Sequence, residues 1–218
     1  MPTLTAAITI DKAETILQDT TNVRWPAAEL LGWFNDGQRE IVIAKPDSYV
    51  QTVAHPLIAG TRQTIPGAGH QLVKVMRNMG ANGTTPGRVV RMVPEEQLNA
   101  STPDWHAATP AAVTLHYTFD IRQPRNFYVF PPAIAGNTLE IVYSASPPPL
   151  ASANDVQLLD DVYANVLLDY VLYRAYSKDA ESTANAARAT THRQMFEAAL
   201  GVKNKADADS APPSEVRG

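Results

Sequence analysis

The stretch DVQLLDDVYANVLLDYVLYRAYSKDAESTANAARATTHRQMFEAAL, from Asp155 to Leu200, decides the fold. Its period predicts two helices, Asp155–Ser177 and Ala180–Leu200, separated by a short break. Apolar and aromatic side chains recur in the first helix at spacings of 4, 3, 4 and 3, which places them on one helical face. This stripe consists of Leu159, Tyr163, Val166, Tyr170 and Tyr173. Such a helix needs to be covered by other elements, so we predict that it serves packing.

The second helix of this stretch carries small side chains instead of large ones. Ala184 and Ala187 belong to a face that another backbone can approach closely. We therefore predict that this face packs against a helix, either within the subunit or in a neighbouring one.

Two more helices are predicted near the N-terminus. Asp11–Gln18 is a short one, and Asp11 suits its cap. Pro26–Ala44 shows a stronger apolar period. We place its start at Pro26 because proline is compatible with a first helical turn, and its end before Lys45 because the residue preceding a proline is disfavoured in a helix. These helices and the C-terminal pair predict one helical domain.

The middle of the chain changes to valine, threonine and tyrosine, with glycine or proline every few residues. This pattern predicts an antiparallel β module, with a short helix at Pro94–Asn99. The candidate strands are Tyr49–Ala54, Gln63–Ile65, Leu72–Arg77, Val89–Val93, Val113–Phe119, Asn126–Phe130 and Leu139–Tyr143. The segment 61–69 fits either a hairpin turn or a loop. The strand order stays open between a sandwich, a barrel and an irregular sheet.

The predicted fold class is therefore α+β, with the β module inserted into the helical domain. Three prolines in Ser146–Ser152 predict a stiff, extended connection, and Gly201 predicts the end of the last helix. The expected organisation is 1–46 for the N-terminal helices, 47–146 for the β module, 147–200 for the linker and C-terminal pair, and 201–218 for a flexible tail.

Composition narrows the function classes. The chain has 218 residues, 44% of them hydrophobic and 18% charged, which is typical of a folded protein. No apolar run approaches the roughly 18 residues of a membrane span, so no membrane contact is expected. The absence of cysteine excludes thiolate metal sites and cysteine nucleophiles. A net charge of −4 argues against a protein whose main work is binding phosphates.

No catalytic, metal-binding or cofactor-binding set is predicted. The histidines are scattered without the spacing of a helical metal site, and we expect each to be structural; they are His55, His70, His106, His116 and His192. Three carboxylates, Asp160, Asp161 and Asp169, fall on one predicted helix. Helix capping and solvation explain them better than acid–base chemistry.

A set of basic residues in the β module has few acids between its members. It consists of Arg62, Lys74, Arg77, Arg88 and Arg91. Such a set can bind nucleic acid, or it can belong to a sheet edge that faces solvent or a partner protein. We favour the second reading.

Three segments resemble phage structural proteins of the head-to-tail adaptor kind. They are the DDVYANVLLDYVLYRAYSKDAE run with the HRQMFEAALG that follows it, the strand RNFYVFPP at Arg125–Pro132, and the helix RWPAAELLGWFNDGQREIV at Arg24–Val42. The order of helix, β insertion, paired helices and tail is similar to the tail tubular A-type adaptors of short-tailed phages.

This resemblance implies a non-enzymatic ring, commonly of twelve copies, in the neck of a virion made in the host cytoplasm. Its implied partners are the portal protein, the tail nozzle and the tail fibre proteins, with transient non-specific contact with genomic DNA in the channel. The family's portal-docking element is its C-terminal end, which makes Val202, Lys203, Lys205, Val216 and Arg217 candidate docking residues.

Two other functions stay open. One is a nucleic-acid-binding accessory protein that uses the basic set. The other is a tail-associated hydrolase, for which no convincing carboxylate pair is visible.

Overall fold

A computed structural model describes residues 2–210, and of residues 202–210 it describes only the backbone. It contains five α-helices, namely α1 (Ala6–Leu17), α2 (Ala27–Ala44), α3 (Glu95–Ser101), α4 (Ala164–Lys178) and α5 (Thr183–Ser210). The chain divides into two compact units. The helical unit comprises residues 1–48 and 147–218, and the β unit comprises residues 49–146.

The helical unit is held together mainly by α4. This helix packs against α5, α2 and α1, so it lies at the centre of the unit. Its buried side chains include Leu167, Val171 and Leu172, none of which is more than 1% exposed. The Trp25 indole at the start of α2 donates to the Ala175 carbonyl of α4 over 3.2 Å. The apolar period of the sequence therefore produces the packing predicted from it.

Helix α1 begins at Ala6, before the predicted start at Asp11. Thr5 is the N-cap residue and its side chain makes no capping bond, so the prediction that Asp11 caps this helix is wrong. The first helical N–H groups are satisfied from far along the chain, because Ala6 N donates to Asp155 O and Ala7 N donates to Ala153 O. A partner so distant in sequence cannot be seen in a local capping pattern.

Helix α4 begins at Ala164, so the predicted start at Asp155 is also wrong. A 3₁₀ turn, Asp161–Tyr163, precedes it, and the Asp160 side chain caps this turn by accepting from Val162 N over 3.1 Å. Residues upstream of the turn pair with the N-terminal segment instead, through a β-bridge between Thr5 and Val156.

Helix α5 extends through Gly201 to Ser210, so the predicted helix end at Gly201 is wrong. A glycine within a helix costs only about 1 kcal/mol relative to alanine. The alanines and lysines that follow Gly201 favour a helix and offset that cost.

The β unit contains seven strands, as the sequence predicts, with shifted ends. They are β1 (Val50–Pro56), β2 (Gly60–Thr64), β3 (Gly69–Asn78), β4 (Arg91–Met92), β5 (His116–Thr118), β6 (Asn126–Ala133) and β7 (Thr138–Ala145). They form a three-stranded sheet in the order β1-β7-β3 and a four-stranded sheet in the order β2-β6-β5-β4. All pairs are antiparallel except β4 with β5. The predicted α+β class is confirmed.

Both sheets contribute to one apolar core. Leu72, Leu139 and Ile141 come from the three-stranded sheet, and Phe127 and Val129 come from the four-stranded sheet. This shared core makes the β unit a sandwich, one of the three arrangements that the sequence left open.

The segment 61–69 contains most of strand β2 and the first residue of β3, so only residues 65–68 connect the two sheets. Strand β2 pairs with β6, and the following strand β3 pairs with β7, so β2 and β3 do not form a hairpin.

Candidate functional site

The aromatic stripe predicted on the C-terminal helix forms the core of the helical unit. Leu159, Tyr163, Val166 and Tyr170 are each exposed by 9% or less, and Tyr173 is half-buried. Leu159 and Tyr163 lie just before α4 rather than within it. These side chains are therefore used for packing within the subunit and offer little surface to another copy.

Tyr170 of α4 lies where three helices meet. A Cβ added at Gly37 of α2 would stand only 3.0 Å from its ring. On the other side, the ring of Phe196 from α5 lies 5.2 Å away between centroids. The absence of a side chain at Gly37 thus lets α2 and α4 approach closely around the tyrosine.

The small face of α5 points away from this core. Ala184 and Ala187 are exposed, whereas Ala189 and Phe196 are buried against the rest of the unit. Met195 on the outward side is 50% exposed. The outward face of α5 is therefore available to another molecule.

A side-chain hydrogen bond joins α4 to α5. His192 Nδ1 lies 2.9 Å from Asp169 Oδ1, and the His192 ring stacks on Tyr176 with an interplanar angle of 11°. The guanidinium of Arg188 lies over the other ring of this stack, 5.6 Å from the centroid of Tyr176. This arrangement gives His192 the structural role that the sequence predicts.

Asp161 anchors the N-terminal segment to the start of α4. Its carboxylate accepts hydrogen bonds from Thr3 N at 2.9 Å and from Leu4 N at 3.1 Å, and Gln157 Nε2 donates to it as well. The side-chain hydrogen bond from Thr3 is the main cause that lowers the pKa of Asp161. The structure thus uses Asp161 for backbone capping across the chain.

The five basic residues singled out in the sequence do not form one patch. Lys74 and Arg77 lie on β3, and Arg88 and Arg91 lie on the segment beside it, where Val90 N donates to the Met76 carbonyl over 3.1 Å. Arg62 lies on β2, at the opposite edge of the four-stranded sheet from β4.

Arg77 differs from the other members of this group because it has a carboxylate partner. Its Nε atom lies 2.8 Å from Glu140 Oε2 on the neighbouring strand β7. Within the described chain, no ion pair involves Lys74, Arg88 or Arg91. Their charges are therefore available to a partner.

A cation and two rings form a row across the four-stranded sheet. Arg91 is opposite His116, and His116 is opposite Phe130, in the registers of β4, β5 and β6. The rings of His116 and Phe130 are nearly parallel, at 8°, with centroids 6.3 Å apart. Burial, followed by the nearby charges of Arg91 and Arg88, lowers the pKa of His116. We therefore expect this ring to be neutral at pH 7.

Two concave sites have mainly polar walls. One, of about 440 Å³ in the helical unit, is lined by Trp25, Asn185 and Arg188 together with Arg24 and Asp179, which form an ion pair with each other. The ion pair neutralises the only carboxylate of this site.

The second concave site lies in the β unit and has a volume of about 220 Å³. Glu95, His106, Asp120 and Tyr128 are among its lining residues. The side-chain hydrogen bond from Arg122 is the main cause that lowers the pKa of Asp120, which is the opposite of what a general acid for glycoside hydrolysis needs. Among the described residues, no group of three or more histidine and acidic side chains could hold a metal ion.

Three of the five candidate portal-docking residues lie within the residues that the structure describes, and two lie beyond them. Val202, Lys203 and Lys205 belong to the last turns of α5. Val216 and Arg217 lie outside the described residues. No helix in the described part of the chain is both long and apolar enough to cross a membrane.

Comparison with known protein families identifies the family of this chain. The family model of the SU10 adaptor protein matches residues 4–217, which include both units. The match indicates a structural adaptor of a phage, and hence a virion protein that contacts other virion proteins. No curated protein matches the chain significantly.

Proposed function

Because the chain belongs to the SU10 adaptor protein family, we propose that it is the head-to-tail adaptor of a phage virion. In this proposal it forms a ring, of twelve copies, between the portal protein and the tail nozzle of a short-tailed particle, and the ring extends the DNA channel. The observation that carries the proposal is the family match over nearly the whole chain.

The fold supports a structural, non-enzymatic role. The aromatic stripe at and before α4 is used for packing within the subunit. His192 contacts Asp169 across two helices. Asp160 and Asp161 accept hydrogen bonds from backbone N–H groups and therefore act as capping groups. What the subunit offers outward is a set of surfaces, such as the exposed Ala184 and Ala187 face of α5. A closed ring needs two different surfaces on each subunit, one for each neighbour.

We further propose that the C-terminal end docks on the portal. Val202, Lys203 and Lys205 continue α5 toward the C-terminal end of the chain, beyond the buried Leu200. Val216 and Arg217 follow in the sequence and belong to the same proposed element.

Cryo-electron microscopy of purified particles tests the adaptor assignment. We expect a ring of this protein between portal and tail, with about twelve copies by symmetry of the density. Particles whose neck lacks this protein would contradict the proposal.

Removal of residues 211–218 tests the docking element separately. If the proposal is right, particles made with the shortened protein lose the adaptor and the tail while the isolated protein keeps its melting temperature. Normal incorporation of the shortened protein would show that portal docking does not need Val216 and Arg217, and would restrict the proposed element to Val202, Lys203 and Lys205.

A further inference from the structure

One short surface of the β unit exposes large apolar side chains beside cations that form no ion pair with the described residues. Val89 is 63% exposed and Met92 is 58% exposed, whereas Val90 between them is buried. Arg88 and Arg91 are exposed beside them. We call these four exposed residues, Arg88, Val89, Arg91 and Met92, the 88–92 ridge.

The ridge is fixed in place by the strands on both of its sides. Val90 N donates to Met76 O of β3, and Arg91 N donates to Leu115 O just before β5. Its backbone groups are thus largely used within the subunit. A partner would therefore meet its side chains rather than add a further strand.

The arginines of the ridge differ from two other arginines of the β unit, Arg77 and Arg122. Arg122 is paired with Asp120 at 3.0 Å, and Arg77 is paired with Glu140. Arg88 and Arg91 form no ion pair within the described chain, and both raise the positive potential felt by His116. An acidic partner would provide the carboxylates that these guanidinium groups lack.

The composition of the ridge is that of a protein interface. Arginine, methionine and aromatic residues are enriched in interfaces, whereas lysine and glutamate are depleted. The ridge offers two arginines and a methionine, next to the stacked rings of His116 and Phe130. A nucleic-acid surface needs more cations than this and has less use for exposed Val89 and Met92. The observations therefore favour a protein.

The chain itself contains a surface of the opposite charge. Residues 49–146 hold seven Lys and Arg against five Asp and Glu, a net charge of +2. The remaining residues hold eleven bases and seventeen acids, which leaves −6 for the helical unit. A second copy thus presents an acidic unit to the basic unit of the first, and opposite potentials steer such an encounter.

Helix α1 offers an apolar surface within this acidic unit. Ile8 and Ile16 are 40% and 46% exposed on it. Ile16 and Leu168 of α4 line an open groove of about 350 Å³, which also includes Asp11 and Lys12. With Glu14 in the same helix, α1 has two acids and one base, so its net charge is negative.

We propose that the 88–92 ridge of one copy docks on the α1 groove of a second copy. Val89 and Met92 then cover Ile16 and Leu168, and Arg88 and Arg91 face Asp11 and its neighbours. The two surfaces are different, so the contact is head-to-tail and can repeat around a closed ring. This inference rests on the proposed adaptor function and adds the identity of the contact between neighbours.

Photo-crosslinking in assembled particles tests this contact. With p-benzoylphenylalanine in place of Met92, we expect a crosslinked homodimer whose crosslinked peptide contains either residues of Ala6–Leu17 or Leu168, the two sides of the groove. The control is the same replacement at Ile121, which is 74% exposed in the same unit; it should give no crosslink to α1.

The crosslinking outcomes separate this contact from the proposed function. A crosslink from position 92 to another virion protein or to DNA, or no crosslink at all, overturns the contact even if the neck contains a ring of this protein. Particles that lack the protein overturn the contact and the adaptor function together.

Charge exchange provides a second test that depends on the same contact. Arg91→Glu should lower the yield of the homodimer crosslink by about tenfold, which corresponds to about 1.4 kcal/mol, and adding Asp11→Lys to the same chain should restore much of it. Arg122→Glu is the matched control and should leave the yield unchanged. Equal melting temperatures of the purified variants would show that they fold. An unchanged yield in Arg91→Glu would overturn the proposed contact.

Discussion

Tyr170 is a buried side chain at the point where α2, α4 and α5 meet. It is 3% exposed and contacts elements from both ends of the sequence, through Gly37 of α2 and Phe196 of α5. Its hydroxyl accepts a hydrogen bond from Arg174 Nη1 at 3.2 Å, so the polar end of the ring is satisfied as well.

We expect Tyr170→Ala to destabilise the protein by about 3–5 kcal/mol, because truncation leaves a cavity between three helices. Urea denaturation followed by circular dichroism measures this change. The control is Val162→Ala, since Val162 is 62% exposed just before α4 and should change stability by less than about 0.5 kcal/mol. Similar effects of the two substitutions would mean that Tyr170 is not part of the core.

The lowered pKa of His116 predicts that the stability of the protein depends on pH. Its pKa is lowered by burial first and then by Arg91 and Arg88, so the folded state takes up a proton less readily than the unfolded chain. As the pH falls below the unfolded value of about 6.5, the unfolded chain gains this proton first and the folded state loses stability. Above that value the group has no effect.

We therefore expect the free energy of unfolding to fall less in the His116→Gln variant than in the original protein when the pH is lowered from 7 to 5. Urea unfolding at the two pH values measures the difference, and NMR titration of the ring gives its pKa directly. His55, whose pKa is also lowered by burial, should contribute in the same direction. A ring that titrates at or above the ordinary value would contradict this account.

At the scale of elements, the close approach of α2 and α4 depends on a glycine. Gly37 faces Tyr170 and Leu167 with no room for a larger side chain, whereas Gly32 in the same helix has nothing within 4 Å of its position. These two glycines allow a matched comparison within one helix.

We expect Gly37→Leu to destabilise the protein by about 1–3 kcal/mol or more, because the added atoms force α2 away from α4. Gly32→Leu should be neutral or stabilising by up to about 1 kcal/mol, because leucine favours a helix more than glycine does. Thermal unfolding of both variants measures the contrast. Equal effects would show that helix propensity, and not packing, dominates at these sites.

The elements also show where local patterns stop being informative. The type of each helix and strand follows from periods of 3.6 and 2, which neighbouring residues express. The start of α1 depends on Asp155 O and Ala153 O, and the segment before α4 pairs with Thr5. Both boundaries are set by partners about 150 residues away, so a sequence window cannot predict them.

At the scale of the whole molecule, the β unit has the features of a domain that can fold by itself. Its two sheets share an apolar core. Its first and last strands, β1 and β7, are neighbours in one sheet, with Val50 opposite Ser144. The two ends of the unit are therefore close together, which is typical of an inserted domain.

We expect the excised segment 49–146 to fold cooperatively, because its core is formed by its own residues. A dispersed NMR spectrum and a single thermal transition would confirm this, and the inserted-domain organisation with it. A collapsed or unfolded fragment would show instead that the β unit depends on the helical segments for its stability.

The sequence by itself determined the α+β class, the seven strands, the main helices and the burial of the Tyr163–Tyr170 stripe, because side-chain periodicity is a local property. Only the tertiary structure decided that Arg62 lies apart from Arg88 and Arg91, and that these two arginines lie beside exposed Val89 and Met92 without an ion pair to any described residue. The physical reason is that strand order and register join residues distant in sequence. The composition of a binding surface therefore depends on the tertiary structure, whereas the residues of the core can be predicted from the sequence.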